Sequence, residues 1–179
     1  MSKTILKLSI IGAFFVTIFG SLFHFVYGWS GNNKIVGALT PVNESTWEHL
    51  KLALIPILLF ALVEWYFLRR SGKNLLCAKA AEIWLVIFLI TGFFYTYTGI
   101  VGFNTLWADI LLTFVVPVVI GKYVCYKILS RENQPKNRII PAFSLLILIF
   151  VFIFFTFKPP HLPLFEDNID NTYGIFQSK

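Results

Sequence analysis

Charged side chains are scarce in this chain, and their scarcity excludes an ordinary soluble domain. Only 13% of its 179 residues are Asp, Glu, Lys or Arg, whereas soluble proteins carry roughly 25%. The mean hydropathy is +0.74, and the length leaves no room for an extramembrane domain beside a compact bundle. The net charge of +6 has no basic stripe or soluble domain to carry it, so we expect no nucleic-acid partner.

Cysteine is also scarce, and the familiar metal-binding spacings are absent. Cys77 and Cys125 lie far apart and form no CxxC pair, which argues against a cysteine-based site. The histidines form no HExxH or comparable pair within one predicted helix. A site built from histidines must therefore be assembled by the fold rather than by one local motif.

The chain has instead five long apolar segments, at about 5–29, 47–68, 83–101, 106–126 and 139–157. Each is close to the ~20 residues that cross ~30 Å of hydrocarbon as a helix, and a helix satisfies its own backbone there. A signal peptide is the alternative for the first segment, but the apolar run is too long and lacks a convincing cleavage site. The predicted fold is an all-α membrane protein, a bundle of five transmembrane helices.

The basic residues of the loops alternate in density along the chain. They crowd at the amino end and in the second and fourth loops, whereas the first loop holds only Lys34 and the third holds none. Because Lys and Arg concentrate in cytoplasmic loops, the pattern predicts a cytoplasmic amino end and an extracellular carboxyl end. Residues 1–158 then form the transmembrane domain. The proline-rich tail at 159–179 is expected to fold over the outer mouth of the bundle, with a disordered tail as the alternative.

This topology places all three histidines at the outer end of the bundle. His24 ends the first segment, His49 starts the second, and His161 follows the fifth. Three imidazoles with nearby carboxylates are able to bind a divalent metal, with Zn as the first choice. They are equally able to relay protons or to form structural hydrogen bonds. The candidate binding residues are His24, Asn43, Glu44, Trp47, Glu48, His49, Lys51, Asp109 and His161, and the candidate metal ligands are His24, His49 and His161.

Several of these residues have simpler interpretations. Ser45 and Glu48 have the spacing of a capping box at a helix start, and Trp47 suits the aromatic belt at the membrane surface. Neither device explains His49 or Lys51, which lie further into the second segment.

The remaining acidic residues have interpretations of their own. Asp109 suits the amino end of a helix dipole. Glu64 lies inside the second segment, where pairing with Arg69 or snorkelling to the interface is the simple interpretation and a functional acid is the alternative. Glu82, beside Lys79, is interpreted as an interfacial charge.

The stretch from Pro41 to Leu52 reads PVNESTWEHLKL, and the tail carries Pro160-His161-x-Pro163-Leu164-Phe165. Together with His24, these words resemble an uncharacterised family of small multi-pass membrane proteins, mostly from Gram-positive bacteria. The resemblance implies a bacterial plasma membrane and carries no established activity.

Three functions remain open at this stage. The first is an outward-facing site of histidines and carboxylates that binds or passes an ion, proton or small solute. The second is a membrane-embedded lipid hydrolase, in which a metal held by histidines lowers the pKa of water. The third is a non-catalytic membrane partner or immunity protein. The lipid bilayer is the one partner that the sequence predicts, and protein partners, including a second copy, are left open.

Overall fold

The computed structural model describes residues 2–167 and 169–175. Within this part of the chain, five helices are long and apolar enough to cross a membrane. They are α1 (Ser2–Trp29), α2 (Thr46–Leu68), α3 (Leu75–Val101), α4 (Leu106–Ser130) and α5 (Ile139–Phe157). The prediction of an all-helical chain with five such helices is confirmed, while the side on which each terminus lies remains a prediction.

Consecutive helices run in alternate directions, so that polar residues from several helices meet at one end. The end of α1 meets the start of α2 through His24 and His49. The end of α5 meets the same start of α2 through a hydrogen bond between Thr156 and Lys51. We call this end of the bundle the histidine end.

A single apolar core joins the helices below the histidine end. α1 packs against α2 and α4, and α3 packs against α2, α4 and α5. The buried side chains of this core come from all five helices and include Val16, Ile57, Val86, Val118 and Leu148. The core therefore forms an apolar layer that joins the five helices in the middle of the bundle.

Helix α3 begins earlier than the hydropathy of the sequence predicts. It starts at Leu75 rather than near Ile83, and the Asn74 side chain caps it by accepting the Cys77 N–H. The same side chain donates to the carbonyls of Pro135 and Asn137 in the loop before α5. As a result, Lys79 and Glu82 lie inside the helix rather than at its surface end.

Helix α4 contains a wide turn next to its proline. Residues Leu111–Val115 form a π-helical turn, and the Val116 N–H reaches back to the carbonyl of Leu111. Proline has no N–H to donate and its ring crowds the preceding turn. A π turn is one way in which a helix adapts to such a local disturbance, and Pro117 follows this one directly.

The tail after α5 lies on the histidine end. It contains a 3-10 turn at Pro163–Phe165 and an antiparallel bridge between Glu166 and Tyr173. The Ile175 N–H donates to the carbonyl of Thr156, and the Asn43 side chain donates to the carbonyl of Gly174. These bonds attach the tail to α5 and to the loop before α2.

Candidate functional site at the histidine end

His24, Glu44 and His49 form a compact group, which we call the triad. The His24 Nε2 lies 3.5 Å from Glu44 Oε1, and the His49 Nε2 lies 3.4 Å from Glu44 Oε2. The two imidazole rings stack with centroids 5.4 Å apart. One ligand atom from each residue lies within 4.8 Å of the other two. The side chains are partly exposed, at 31% for each histidine and 41% for Glu44.

The orientation of His49 fixes which nitrogen faces Glu44. Its Nδ1 lies 2.9 Å from the carbonyl oxygen of Ser45, one turn earlier. Because a carbonyl only accepts, Nδ1 must carry the hydrogen, which is the assignment that this contact requires. In a neutral ring the Nε2 then presents a lone pair to Glu44. Two acceptors facing each other at 3.4 Å are mutually repulsive unless a proton or a metal cation lies between them.

Glu44 is held as a carboxylate in the loop before α2. The hydrogen-bonding contact with His49 lowers the pKa of Glu44, and the charges of the two imidazoles add to this effect against the opposing influence of partial burial. Its backbone N–H donates to Asp167 Oδ2 in the tail. Burial alone raises the pKa of Asp167, but backbone donors from Glu44, Ile169 and Asp170 outweigh it and hold that pKa below its usual value. The tail therefore fixes the position of Glu44.

A cavity of about 440 Å³ opens beside the triad between α1, α2, α3 and α4. Its polar lining comes from the triad, Ser21, Thr46, Asn104, Asp109 and Thr113, and its apolar lining from Phe25, Leu52, Ile90, Phe94, Leu106, Ile110, Phe114 and Ile169. The helices α1, α2 and α4 approach closely at Gly20, because a Cβ there would be 2.5 Å from the Leu52 carbonyl oxygen and 2.5 Å from Phe114 Cζ. The cavity borders the apolar core, since Ile90 belongs to both.

Asp109 lines the same cavity from α4. The Tyr97 hydroxyl donates to its Oδ1, and the Asn104 Nδ2 donates to Oδ2 at 3.2 Å. Both donors are neutral, so they orient the carboxylate without balancing its charge.

Glu48 and Lys51 lie outside the triad and pair with each other. The Lys51 Nζ donates to Glu48 Oε2 at 2.7 Å, to Thr156 Oγ1 at 2.6 Å, and to the carbonyls of Gly37 and Thr40. Glu48 Oε2 also accepts from the Val42 N–H. The predicted capping box is only half present: Ser45 Oγ accepts the Glu48 N–H, whereas the Glu48 carboxylate is used by Lys51.

Asn43 and Trp47 hold the tail rather than lining the cavity. Asn43 donates to the Gly174 carbonyl and accepts from the Ser45 N–H. The Trp47 ring stacks on Phe152 at 4.3 Å and packs on Phe165 at 4.7 Å. Its Nε1 is buried and has no hydrogen-bond partner among the described residues. The tail and α5 thus cover part of the Trp47 ring, which is half-buried, and its place in the aromatic belt stays a prediction.

His161 does not join the other two histidines. It is exposed, and its ring lies 4.5 Å from the ring of Tyr173 within the tail. Among the described residues, the group that brings ligand atoms together consists of His24, Glu44 and His49. The reason is local: His161 is exposed in the tail after Pro159 and Pro160, whereas Glu44 immediately precedes the cap of α2.

A second polar cluster, which the sequence did not predict, lies toward the opposite end of the bundle. Glu64 of α2, Lys79 and Glu82 of α3, and Lys122 of α4 form what we call the charged ring. Lys79 contacts Oε2 of both glutamates. Lys122 Nζ lies 3.4 Å from Glu64 Oε1 and 3.0 Å from Glu82 Oε1. All four side chains are at most 3% exposed, and their formal charges cancel.

The charged ring overturns two interpretations of the sequence. Glu64 does not pair with Arg69, whose guanidinium instead lies over the rings of Trp65 and Tyr66. Glu82 is fully buried and is not an interfacial charge. The only signal available was the presence of buried-segment charges on three helices, since a charge inside a membrane segment needs a partner.

The sequence of the chain matches a known family over almost its whole length. A family model described as a family of unknown function (DUF6512) matches residues 1–175. The chain belongs to this family. No curated protein and no solved structure matches it. The DUF6512 assignment agrees with the resemblance to an uncharacterised family and leaves the activity to be inferred from the site.

Proposed function

We propose that this DUF6512 member spans the bacterial plasma membrane five times, with its amino end in the cytoplasm. We further propose that it binds a divalent cation at the triad, at the extracellular mouth of the cavity. The cation then forms part of a site that binds an ion or small solute. The positive loops described above support the orientation, and the five apolar helices support the membrane location.

The observation that carries this proposal is the convergence of His24, Glu44 and His49, whose ligand atoms lie within 4.8 Å of one another. His49 donates its Nδ1 hydrogen to the Ser45 carbonyl, so in the neutral ring its Nε2 lone pair faces the Glu44 carboxylate. A cation between these atoms replaces repulsion with two attractive contacts. The backbone hydrogen bond to Nδ1 is the outer contact that commonly orients histidines bound to metals.

The two distances from Glu44 to the histidines suit a tetrahedral ion. Zinc binds nitrogen and carboxylate oxygen at about 2.0–2.2 Å, and tetrahedral geometry then separates its ligand atoms by roughly 3.3–3.5 Å. The observed separations from Glu44 to the two histidines are 3.5 and 3.4 Å. Two histidines and one glutamate leave one position free, as in catalytic rather than structural zinc sites.

Metal analysis of the purified full-length protein tests the proposal. After chelation and reloading with zinc or cobalt, we expect one ion per chain and a cobalt absorption spectrum typical of tetrahedral coordination. The ion should be lost in each of three variants, His24→Ala, His49→Ala and Glu44→Gln. His161→Ala is the matched control and should retain it, because His161 lies outside the triad. A wild-type protein that binds no more metal than these variants would mean that a proton holds the triad together.

A lipid hydrolase is the second candidate, and the cavity that the triad lines favours it. A metal held by the triad would lower the pKa of a bound water molecule. Turnover of a lipid ester that is lost in His24→Ala and His49→Ala together with the metal would support hydrolysis. Retention of metal without turnover of any ester would support binding alone.

A further inference from the structure

The cavity contains one carboxylate whose charge no neighbour balances. Among the described residues, Asp109 accepts side-chain hydrogen bonds only from Tyr97 and Asn104, which are neutral. No lysine or arginine belongs to the described lining of the cavity. A carboxylate beside apolar surface is stabilised by an opposite charge, because removal of an ion from water is expensive unless it is paired. A cationic group inside the cavity would therefore stabilise the Asp109 carboxylate.

The rest of the cavity is suited to an apolar body. Phe94 and Phe114 lie on the same two helices, α3 and α4, that bring Tyr97 and Asp109 to the cavity, and Leu52 and Ile90 complete the apolar surface. Aromatic faces also attract cations within about 6 Å of the ring centre. At about 440 Å³, the cavity falls within the range of roughly 300–1,000 Å³ for ligand sites.

Apolar side chains border the cavity on its side toward the core. Leu52, Ile90 and Phe114 line it, and Ile90 is also part of the apolar core. Beyond them, the described core consists of apolar side chains such as Val16, Ile57 and Val118. A bare inorganic ion gains nothing from these surfaces, whereas an amphiphile buries its apolar part against them.

The Asp109 carboxylate and the apolar side chains line the same cavity. From this juxtaposition we propose that the cavity binds an amphiphile with a protonated amine head and a single apolar chain. The amine pairs with Asp109, and the chain lies against Leu52, Ile90 and Phe114. This inference rests on the proposed function, because the cation at the triad neutralises Glu44 and leaves Asp109 as the carboxylate that recognises the ligand.

Calorimetric titration of the full-length protein in maltoside micelles tests the inference with soluble probes. Octylamine should bind at one saturable site per chain, at least tenfold more tightly than octanol or octanoate. Methylammonium, which has the charge but no chain, should also bind at least tenfold more weakly. Asp109→Asn should lower the octylamine affinity at least tenfold, and Asp170→Asn, which changes an exposed tail carboxylate, should leave it unchanged.

A second variant keeps the test decisive if Asp109→Asn does not fold. Ile110→Trp retains the carboxylate and fills the cavity, so it should also abolish octylamine binding. Equal binding of octanol or methylammonium, or unchanged binding in Asp109→Asn, would overturn the inference. Zinc titration of the same samples separates the two proposals: zinc binding without selective octylamine binding refutes only the ligand class, and loss of zinc binding in the wild type refutes the cation site.

Discussion

Replacing Lys122 by methionine leaves Glu64 and Glu82 with one buried ammonium instead of two. Lys122 approaches both carboxylates, at 3.4 and 3.0 Å, and its side chain is 3% exposed. Methionine fills most of the same volume, so the main change is the loss of one positive charge from a neutral group of four. Removal of one partner of a buried ion pair typically destabilises a protein by about 3–5 kcal/mol, and we expect Lys122→Met to fall in this range.

The double variant Lys122→Met/Glu64→Gln restores electrical balance, because Lys79 and Glu82 remain as a pair. We expect it to be more stable than the sum of the two single variants predicts, by about 1–3 kcal/mol, which is the usual coupling of residues in one ion-pair network. Lys127→Met, an exposed lysine on the same helix, is the matched control and should change the free energy of unfolding by less than about 0.5 kcal/mol.

Reversible unfolding in mixed micelles, followed by circular dichroism, measures the wild type, the two single variants, the double variant and the Lys127→Met control. The reasoning would be refuted if Lys122→Met unfolded at the same denaturant fraction as the wild type. Strict additivity of the single variants would also refute it, because additivity would mean that Lys122 and Glu64 act independently despite their contact.

Three further predictions concern the histidine end and the topology. Lys51→Met should destabilise the protein by about 3–5 kcal/mol in the same unfolding assay, since it leaves the buried Glu48 carboxylate without its positively charged partner. The pKa of Asp167 lies below its ordinary value of 3.8, so its contribution to docking the tail is complete above that pH and is lost as the pH falls through the lower folded value. Limited proteolysis should accordingly find the tail protected at pH 5, and Asp167→Asn should expose it at that pH. Cys77 should react with a membrane-impermeant thiol reagent only in inverted vesicles, and labelling in intact cells would contradict the proposed orientation.

The sequence was sufficient to predict the five helices, because each long apolar run has few ways to satisfy its backbone in a membrane. It failed at the start of α3, where Lys79 and Glu82 ended the apolar run. Charged residues lower the hydropathy, so a hydropathy profile ends the predicted helix where they occur. Lys79 and Glu82 are nevertheless buried, because Glu64 and Lys122 pair with them from other helices. Such partners are distant in the chain and are brought together only by packing.

The candidate site was predictable in part for the same reason. His24 and His49 are brought together by two adjacent helices with alternating directions, which is a property of topology. The third member of the triad depends on loop geometry. The sequence favoured His161 as the third metal ligand because it is a histidine. Glu44 occupies the position instead, since its backbone is fixed by Asp167 from the tail.

The two polar systems lie on opposite sides of one apolar layer, and this arrangement limits what the structure allows. The cavity at the histidine end is lined by Leu52, Ile90 and Phe114 on its apolar side, and the charged ring links α2, α3 and α4 beyond the layer. A solute is therefore able to bind from the histidine end, but its passage through the bundle requires both the layer and the ring to open. Because opening the ring separates buried charges, a mutation such as Lys122→Met should affect any transport activity through the conformational equilibrium while leaving octylamine affinity at Asp109 unchanged. Equal losses of transport and of octylamine binding in that variant would show that the two polar systems do not act as separate parts.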